Sequence, residues 1–342
     1  MSGTNQAMTW HMIGHSWAEE LLKKHIRTDQ VRQAYLLTGS DGLGKRTLAI
    51  RFAQALNCTA PKASGDICGE CRACTLIPTT QFPDFHEIVP EEDTSRLKVE
   101  QIRELQQKLA LSPYEGTWRI ALLPDFENAT ENAANALLKT LEEPSENVIV
   151  LLTAVDVPSL LPTIVSRCEH LPLRAVSNEI IRETLLRQGV EGEQAELIAG
   201  LAQGRPGWAI RYANDPELLV KRAELLDQLS QLLHQSKRER FDYVERFLPR
   251  RDELDTQRHN VQEALQIWMG VWRDAMQRGF NVAGENINPD RSDLIEVLNQ
   301  KLSPQQIHAC VHALKRAQHT IERFANVRLT MEVLMLELPN LE

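Results

Sequence analysis

Long apolar runs are missing from this 342-residue sequence, and none approaches the roughly 18 residues that a membrane span needs. The start, "MSGTNQAMTWHMIGH", has no basic segment leading into an apolar core, so no secretory signal is expected and the chain is expected to be cytoplasmic. Positive charge is not in excess either. Lys and Arg total 38 against 47 Asp and Glu, a net charge of −9. Without a global positive field to gather phosphates, the balance argues against strong autonomous binding to duplex DNA. The local basic stretches "KKHIR" (23–27) and "LPRRDE" (248–253) read as solvated helix faces. No internal repeat or low-complexity tract is present. Cysteine is scarce, at six residues, but four of them fall in one segment. In a reducing compartment such clustering points to metal before disulfide.

A composition of 42% hydrophobic and 25% charged residues is that of a globular protein, long enough for two or three domains. The first half alternates short apolar runs with helical patterns, as a parallel sheet covered by helices requires. Strands are expected at 34–38, 85–89, 119–123, 148–153 and 169–173. Helices at 46–58, 98–111 and 129–143 carry apolar residues at i, i+3, i+4 spacing, with Thr130 as N-cap and Pro144 as stop of the last. After Pro172 the strand pattern ends. Three short helices follow over 177–214, punctuated by Gly189, Gly204 and Pro206. From Asp215 long helical periodicity runs over 216–235, 261–279, 303–325 and 327–338, interrupted by a polar loop at 280–293. The expected division is residues 1–173, 174–214 and 215–342.

The stretch "AYLLTGSDGLGKRTLAI" (34–50) follows the phosphate-loop pattern G-x-x-x-x-G-K-[ST] through Gly39, Gly44 and Lys45. Arg46 then stands where the Mg²⁺-ligating hydroxyl belongs. A triphosphate hydrolase also needs an acidic pair at the end of the strand beside the loop. Here Pro124 takes the metal carboxylate's place and Asp125 is a shortened stand-in for the second acid. Thr153 has the hydroxyl to sense a γ-phosphate, but Ala154 and Val155 beyond it do not. These losses together point to a site that does not hydrolyse ATP. Gly39, Gly42, Gly44, Lys45 and Thr47 would line any bound phosphate, and ATP or ADP occupancy stays open because the lysine and loop N–H groups remain anion-seeking.

Cys58 and the run "CGECRAC" supply Cys58, Cys68, Cys71 and Cys74 within a lobe spanning about 58–74. Two C-x-x-C steps sharing a middle cysteine let thiolates converge on one ion, a Cys₄ set typical of structural Zn²⁺. Free thiols or a disulfide pair are the other readings. Cys168 and Cys310 are isolated. In "PTIVSRCEHLPL" (162–173), Arg167 taken alone reads as a surface arginine paired with a carboxylate.

Together "NAANALLKTLEEP" (132–144), "TIVSRC" (163–168), "CGECRAC" and "FPDFHEI" (82–88) resemble bacterial clamp-loader subunits of the AAA+ class. The likeness extends through "AQGRPGWAI" (202–210), where the ATP-hydrolysing gamma/tau subunits carry a nucleotide-sensing arginine and this chain has Gly207, to the ending "NVRLTMEVLMLEL". Phe82 departs from the usual His before Pro-Asp. The resemblance implies an α/β AAA+ domain with helices on both faces of a parallel sheet, a small helical lid and an all-α C-terminal collar. It implies a ring with delta and three gamma/tau copies that loads the β sliding clamp on primed DNA during replication by DNA polymerase III, with no membrane involved. Within that ring Arg167 would be an arginine finger acting in trans on a gamma/tau ATP site. An active ATPase motor of the gamma/tau type is the alternative, opposed by Arg46, Pro124 and Gly207. A zinc-dependent DNA-binding module is a third, opposed by a lobe segment "KASGDICGECRAC" with two acids and two bases.

Overall fold

The computed structural model describes residues 10–91, 96–143, 145–249, 253–282, 287–323 and 325–341. Pro144, Arg250–Asp252 of the second basic stretch, residues 283–286 of the polar loop and the first nine residues of the chain lie outside these. The chain forms two compact units, one of residues up to 184 with 204–208, the other of 185–203 with 209 onward.

The first unit is built on five strands, β1 (Ala34–Thr38), β2 (Phe85–Glu87), β3 (Arg119–Leu123), β4 (Val148–Ala154) and β5 (Glu169–Pro172). They form one parallel sheet in the order β2-β3-β4-β1-β5. Every residue of β1, β3 and β4 is buried, because a parallel sheet covered on both faces leaves no strand position for water. Alternate residues feed two cores. Tyr35, Leu37, Ile120, Leu122, Ile149 and Leu151 join Leu22 of α1 (Ser16–Arg27) and Leu48 and Phe52 of α2 (Lys45–Asn57). Leu36, Leu123, Val150 and Leu152 join the opposite core. There they meet residues of α4 (Val99–Leu109) and α5 (Glu131–Glu142), which follow the short α3 (Arg72–Leu76) along the chain. The five expected strands are present, with β2 shorter by two residues. Thr130 caps α5, its side chain accepting from the Ala133 N–H.

Helix α1 escaped the sequence reading, and it changes the meaning of "KKHIR". Lys23 lies between Glu19 at 2.7 Å and Asp66 at 3.0 Å, and its ammonium stands 5.7 Å from the Trp10 ring. Lys23 is a largely buried clamp, while Lys24 and Arg27 of the same stretch stay exposed as expected. The short α6 (Pro162–Val165) leads into β5. Helices α7 (Asn178–Arg187), α8 (Gly192–Ala202) and α9 (Pro206–Asn214) lie where the chain passes between the units.

In the second unit α10 (Pro216–Leu232), α11 (Lys237–Phe247), α12 (Leu254–Gly279), α13 (Ser292–Lys301), α14 (Pro304–Glu322) and α15 (Val327–Glu337) surround a core that includes Leu229, Leu265, Trp268, Trp272, Leu314 and Met331. Helices α11 and α13 were not anticipated, and α12 starts seven residues before the apolar periodicity does. The sequence KRERFDYVERF of α11 is too polar to advertise itself. A capping box between Ser236 and Glu239 starts it. The buried Arg240 guanidinium ties it to the carbonyls of Leu232, Met335, Leu338 and Pro339 at 2.6–3.0 Å. These are orphan acceptors at the ends of α10 and α15. Residues 287–291 of the expected loop are likewise fixed. Buried Asp274 accepts from the Ile287 and Asn288 N–H groups, and Arg222 pairs with Asn288 and Asp290. No helix among the described residues is long and apolar enough to cross a membrane.

The "FPDFHEI" motif has a structural task. Asp84, fully buried, accepts from the N–H groups of Tyr114, Glu115 and Gly116 at 2.7–2.8 Å and from Arg119 at 2.9 Å. Burial alone would push this carboxyl up, but the backbone donors and the Arg119 guanidinium hold it below its ordinary value. Its stabilisation is therefore complete above the unfolded carboxyl's pKa of about 3.9 and is lost as pH falls through the lower folded value. Asp84→Asn, which strands the buried Arg119, is expected to cost about 3–5 kcal/mol at pH 7. In urea titrations at pH 7 and pH 3 the gap between wild type and variant should shrink at the lower pH. A constant gap would assign the loss to packing alone.

Candidate functional site

The turn from β1 into α2 reverses the chain in a few residues. Gly39 and Gly42 adopt φ of 144° and 80°, and a Cβ on either would lie 2.6 Å from the Leu173 carbonyl oxygen or 2.4 Å from Trp208. Only glycine fits there. The Gly207 N–H donates to the Gly42 carbonyl at 2.8 Å, so the "RPGW" turn closes on the loop. Gly44 precedes the first turn of α2 and Thr47 is exposed on that turn.

Lys45, the lysine of the loop, is 6% exposed and does not reach outward. Its Nζ donates to the carbonyls of Gly39 at 2.5 Å and Ser40 at 3.3 Å. Arg46 turns to the strand edge. Its Nε and Nη2 donate to the two carboxylate oxygens of Glu87 on β2 at 2.5 and 2.6 Å, a bidentate fork. Glu87 is nearly covered while Arg46 is half-exposed. A cation thus stands covalently anchored at the position of the metal's ligand. Glu87 gave no sign of this role in the sequence, because its partner lies 41 residues earlier.

At the end of β3, Pro124 offers no side-chain ligand and Asp125 points to solvent in a left-handed conformation with φ of 47°. The Asp125 N–H donates to Thr153 Oγ1 at 2.9 Å. Thr153 is 1% exposed, so its hydroxyl serves the backbone of the neighbouring strand end rather than a solvent-side ligand. Glu127, which the sequence reading passed over, accepts from the Val155 N–H at 3.3 Å, and burial raises its carboxyl above the ordinary range, with Asp125 adding to the shift.

Arg167 follows α6 at the start of β5. Its Nη2 donates to Glu142 at 2.5 Å and its Nη1 to the Thr163 carbonyl at 2.8 Å, with a third of the side chain exposed. Ser166 Oγ donates to the same carbonyl at 3.1 Å, fixing the turn. Arg167, Ser166 and Cys168 line a cleft of about 320 Å³ together with Arg32, Thr140 and Glu169.

The four clustered cysteines meet. Their sulfurs all lie within 4.8 Å of one another, Cys68 to Cys74 at 3.8 Å and Cys71 to Cys58 at 4.0 Å. A tetrahedral ion with bonds of about 2.3 Å sets its sulfurs about 3.8 Å apart. The Cys68 N–H donates to Cys58 Sγ and the Cys71 N–H to Cys68 Sγ at 3.4 and 3.3 Å, which favours thiolates. Against the cost of burial, the backbone N–H groups of Cys74 and Thr59 bring the Cys71 thiol down to about 6. Burial pushes Cys74 up, so without a cation the four do not ionise together. The lobe is pinned by Gln54, which donates to the Cys74 carbonyl at 2.5 Å, and by Trp10, which donates to the Gly65 carbonyl at 3.0 Å.

Residues 14–177 match the family described as DNA polymerase III, delta subunit, and residues 216–339 match its C-terminal part. The chain is 28% identical over 320 residues to DNA polymerase III subunit delta' of Bacillus subtilis, covering 93% of this chain and 94% of that one. It is 31% identical over 259 residues to DNA polymerase III subunit delta' of Yersinia pestis, covering 70% and 76%. The fold is similar to that of a DNA polymerase III, gamma subunit-related protein of Thermotoga maritima, with a TM-score of 0.52 at 19% identity, covering 93% and 97% of the two chains. A loop of phosphate-binding form, with its lysine turned inward and an arginine at its metal position, therefore sits on a chain that belongs to the DNA polymerase III delta' subunit family.

Proposed function

We propose that this protein is a non-hydrolysing clamp-loader subunit that lends Arg167 to a gamma/tau neighbour's ATP site while a ring of subunits loads the β sliding clamp. The observation that carries the reading is the Arg46–Glu87 fork. With a guanidinium at the metal-ligand position, Pro124 at the acidic position and Lys45 committed to its own loop, nothing here can hold Mg²⁺ and polarise an attacking water. The motor alternative needs a hydroxyl where Arg46 stands and a carboxylate where Pro124 stands, and the chain has neither.

On this reading residues 1–173 are the AAA+ domain, 174–214 the lid and 215–342 the collar through which the ring assembles. The collar assignment draws on α15, where Leu329, Val333 and Leu336 remain 58%, 47% and 49% exposed at i, i+4, i+7 spacing. Such a stripe asks for a covering partner. Arg167 is available for its task because an exposed ion pair such as that with Glu142 contributes about 0–1 kcal/mol at most. Exchanging Glu142 for a γ-phosphate under transfer costs little, and the planar fork stabilises the charge that develops on the equatorial oxygens.

Cys58, Cys68, Cys71 and Cys74 hold a structural Zn²⁺, whose charge lets all four thiols ionise in one place. Metal analysis of protein prepared without chelator should return about one Zn²⁺ per chain. Cys71→Ser should lose it and loosen the lobe, leaving the helical unit's melting unchanged. A metal-free wild-type preparation with an ordered lobe would refute the assignment.

The isolated chain should show no Mg²⁺-dependent ATPase above background. Arg46→Thr alone should not create turnover, because Pro124 still supplies no ligand. Measurable hydrolysis by the clean single chain would restore the motor reading.

In a reconstituted ring, Arg167→Ala should leave assembly intact by gel filtration. It should remove transition-state stabilisation worth on the order of 10³–10⁵ in rate at the one ATP site it serves. Total DNA- and clamp-stimulated ATPase should fall in part and clamp loading further, and Arg167→Lys should rescue poorly. Wild-type rates from an intact variant ring would leave Arg167 a surface ion-pair residue.

A further inference from the structure

Outside the site already described, two of the three exposed imidazoles of α14 meet each other. His308 and His312 are one helical turn apart and both exposed. Their Nε2 atoms approach to 3.1 Å, with ring centroids 4.4 Å apart and planes inclined at 69°. Residues four apart on a helix share a face, but imidazoles free to rotate in solvent have no need to bring the same two nitrogens together.

The distance has a chemical meaning. Two imidazole nitrogens bound to one late first-row cation at about 2.0–2.1 Å are about 2.9 Å apart at a right angle and about 3.3 Å apart at the tetrahedral angle. The observed 3.1 Å lies between these limits. The pair also forms a hydrogen bond when one ring is the donor tautomer and the other the acceptor. That contact holds the rings in the arrangement a metal would use. Arg316, one turn beyond His312, is engaged at 2.9 Å by both carboxylate oxygens of Glu337, which offsets its charge. The imidazoles are far in sequence from the cysteine lobe, and their donor set is nitrogen rather than sulfur. That selects Ni²⁺ and Cu²⁺ with water completing the coordination, not a closed zinc centre.

We propose that His308 and His312 form a second metal site, an open two-nitrogen site on α14 for a divalent late first-row cation. Occupancy clips one turn of α14 and stabilises the helical unit by mass action. The site is independent of the clamp-loader reading.

The test is calorimetric titration of the full chain with Ni²⁺ at pH 7.5, alongside His308→Gln and His312→Gln, after saturation with Zn²⁺ and desalting. Any uptake by the cysteines is common to all three proteins and cancels in the comparison. Circular dichroism should match throughout, since both side chains are exposed. Wild type should take up one more Ni²⁺ than either variant, or bind it about tenfold more tightly, and Ni²⁺ should raise the melting temperature of wild type alone. Superimposable titrations of the three proteins, or equal melting shifts, would show that the rings only hydrogen-bond each other.

Discussion

A parallel sheet buried on both faces confines polar chemistry to the ends of its strands. β1, β3 and β4 are closed to water along their whole length, and unpaired polar groups among them would cost several kcal/mol. Whatever this protein does with nucleotides must therefore be done at the ends of those strands: 39–45 after β1, 124–127 after β3 and 153–155 at the end of β4. The strand order places the three strand ends side by side, since β1 and β3 both pair with β4. Doubly wound sheets bind ligands at this edge.

At this edge the loop lysine, the arginine beside it and the buried threonine already have partners within the protein. Lys45 is bound to its own loop, Arg46 to Glu87, and Thr153 to the Asp125 backbone. None of these contacts is a strong lock. The Arg46 pair is half-exposed and contributes on the order of 1 kcal/mol. The effect is chemical rather than energetic, because a guanidinium cannot ligate Mg²⁺ and a proline cannot replace a carboxylate. Arg167, in contrast, has a half-exposed surface partner, Glu142, and a pair of that kind contributes little.

Most of the sheet could be read from the chain because burial on both faces writes uninterrupted apolar runs such as "RIALL" and "VIVLLT". The cysteine lobe was equally open to reading, since C-x-x-C spacing is a local property. What stayed hidden depends on distant residues. Glu87, Glu142 and Asp84 acquire their roles from partners 25 to 41 residues away, and no periodicity marks them. Helices α11 and α13 were missed for a related reason. Arg240 reaches carbonyls nearly 100 residues later and Asp274 orders 287–288, while the apolar residues the two helices bury, Tyr243 and Val244 or Leu294, Ile295 and Leu298, form runs too short to mark a helix. Lys23 shows the reverse error, one lysine of a charge run taken for a solvated face that is in fact folded into a clamp.

The central claim, that the phosphate loop has no ligand for Mg²⁺, is tested most directly by equilibrium dialysis of the isolated chain against labelled ATP with and without Mg²⁺. The account predicts that Mg²⁺ leaves any ATP binding unchanged, because neither Arg46 nor Pro124 can ligate it. Saturable binding that Mg²⁺ strengthens about tenfold or more would contradict it.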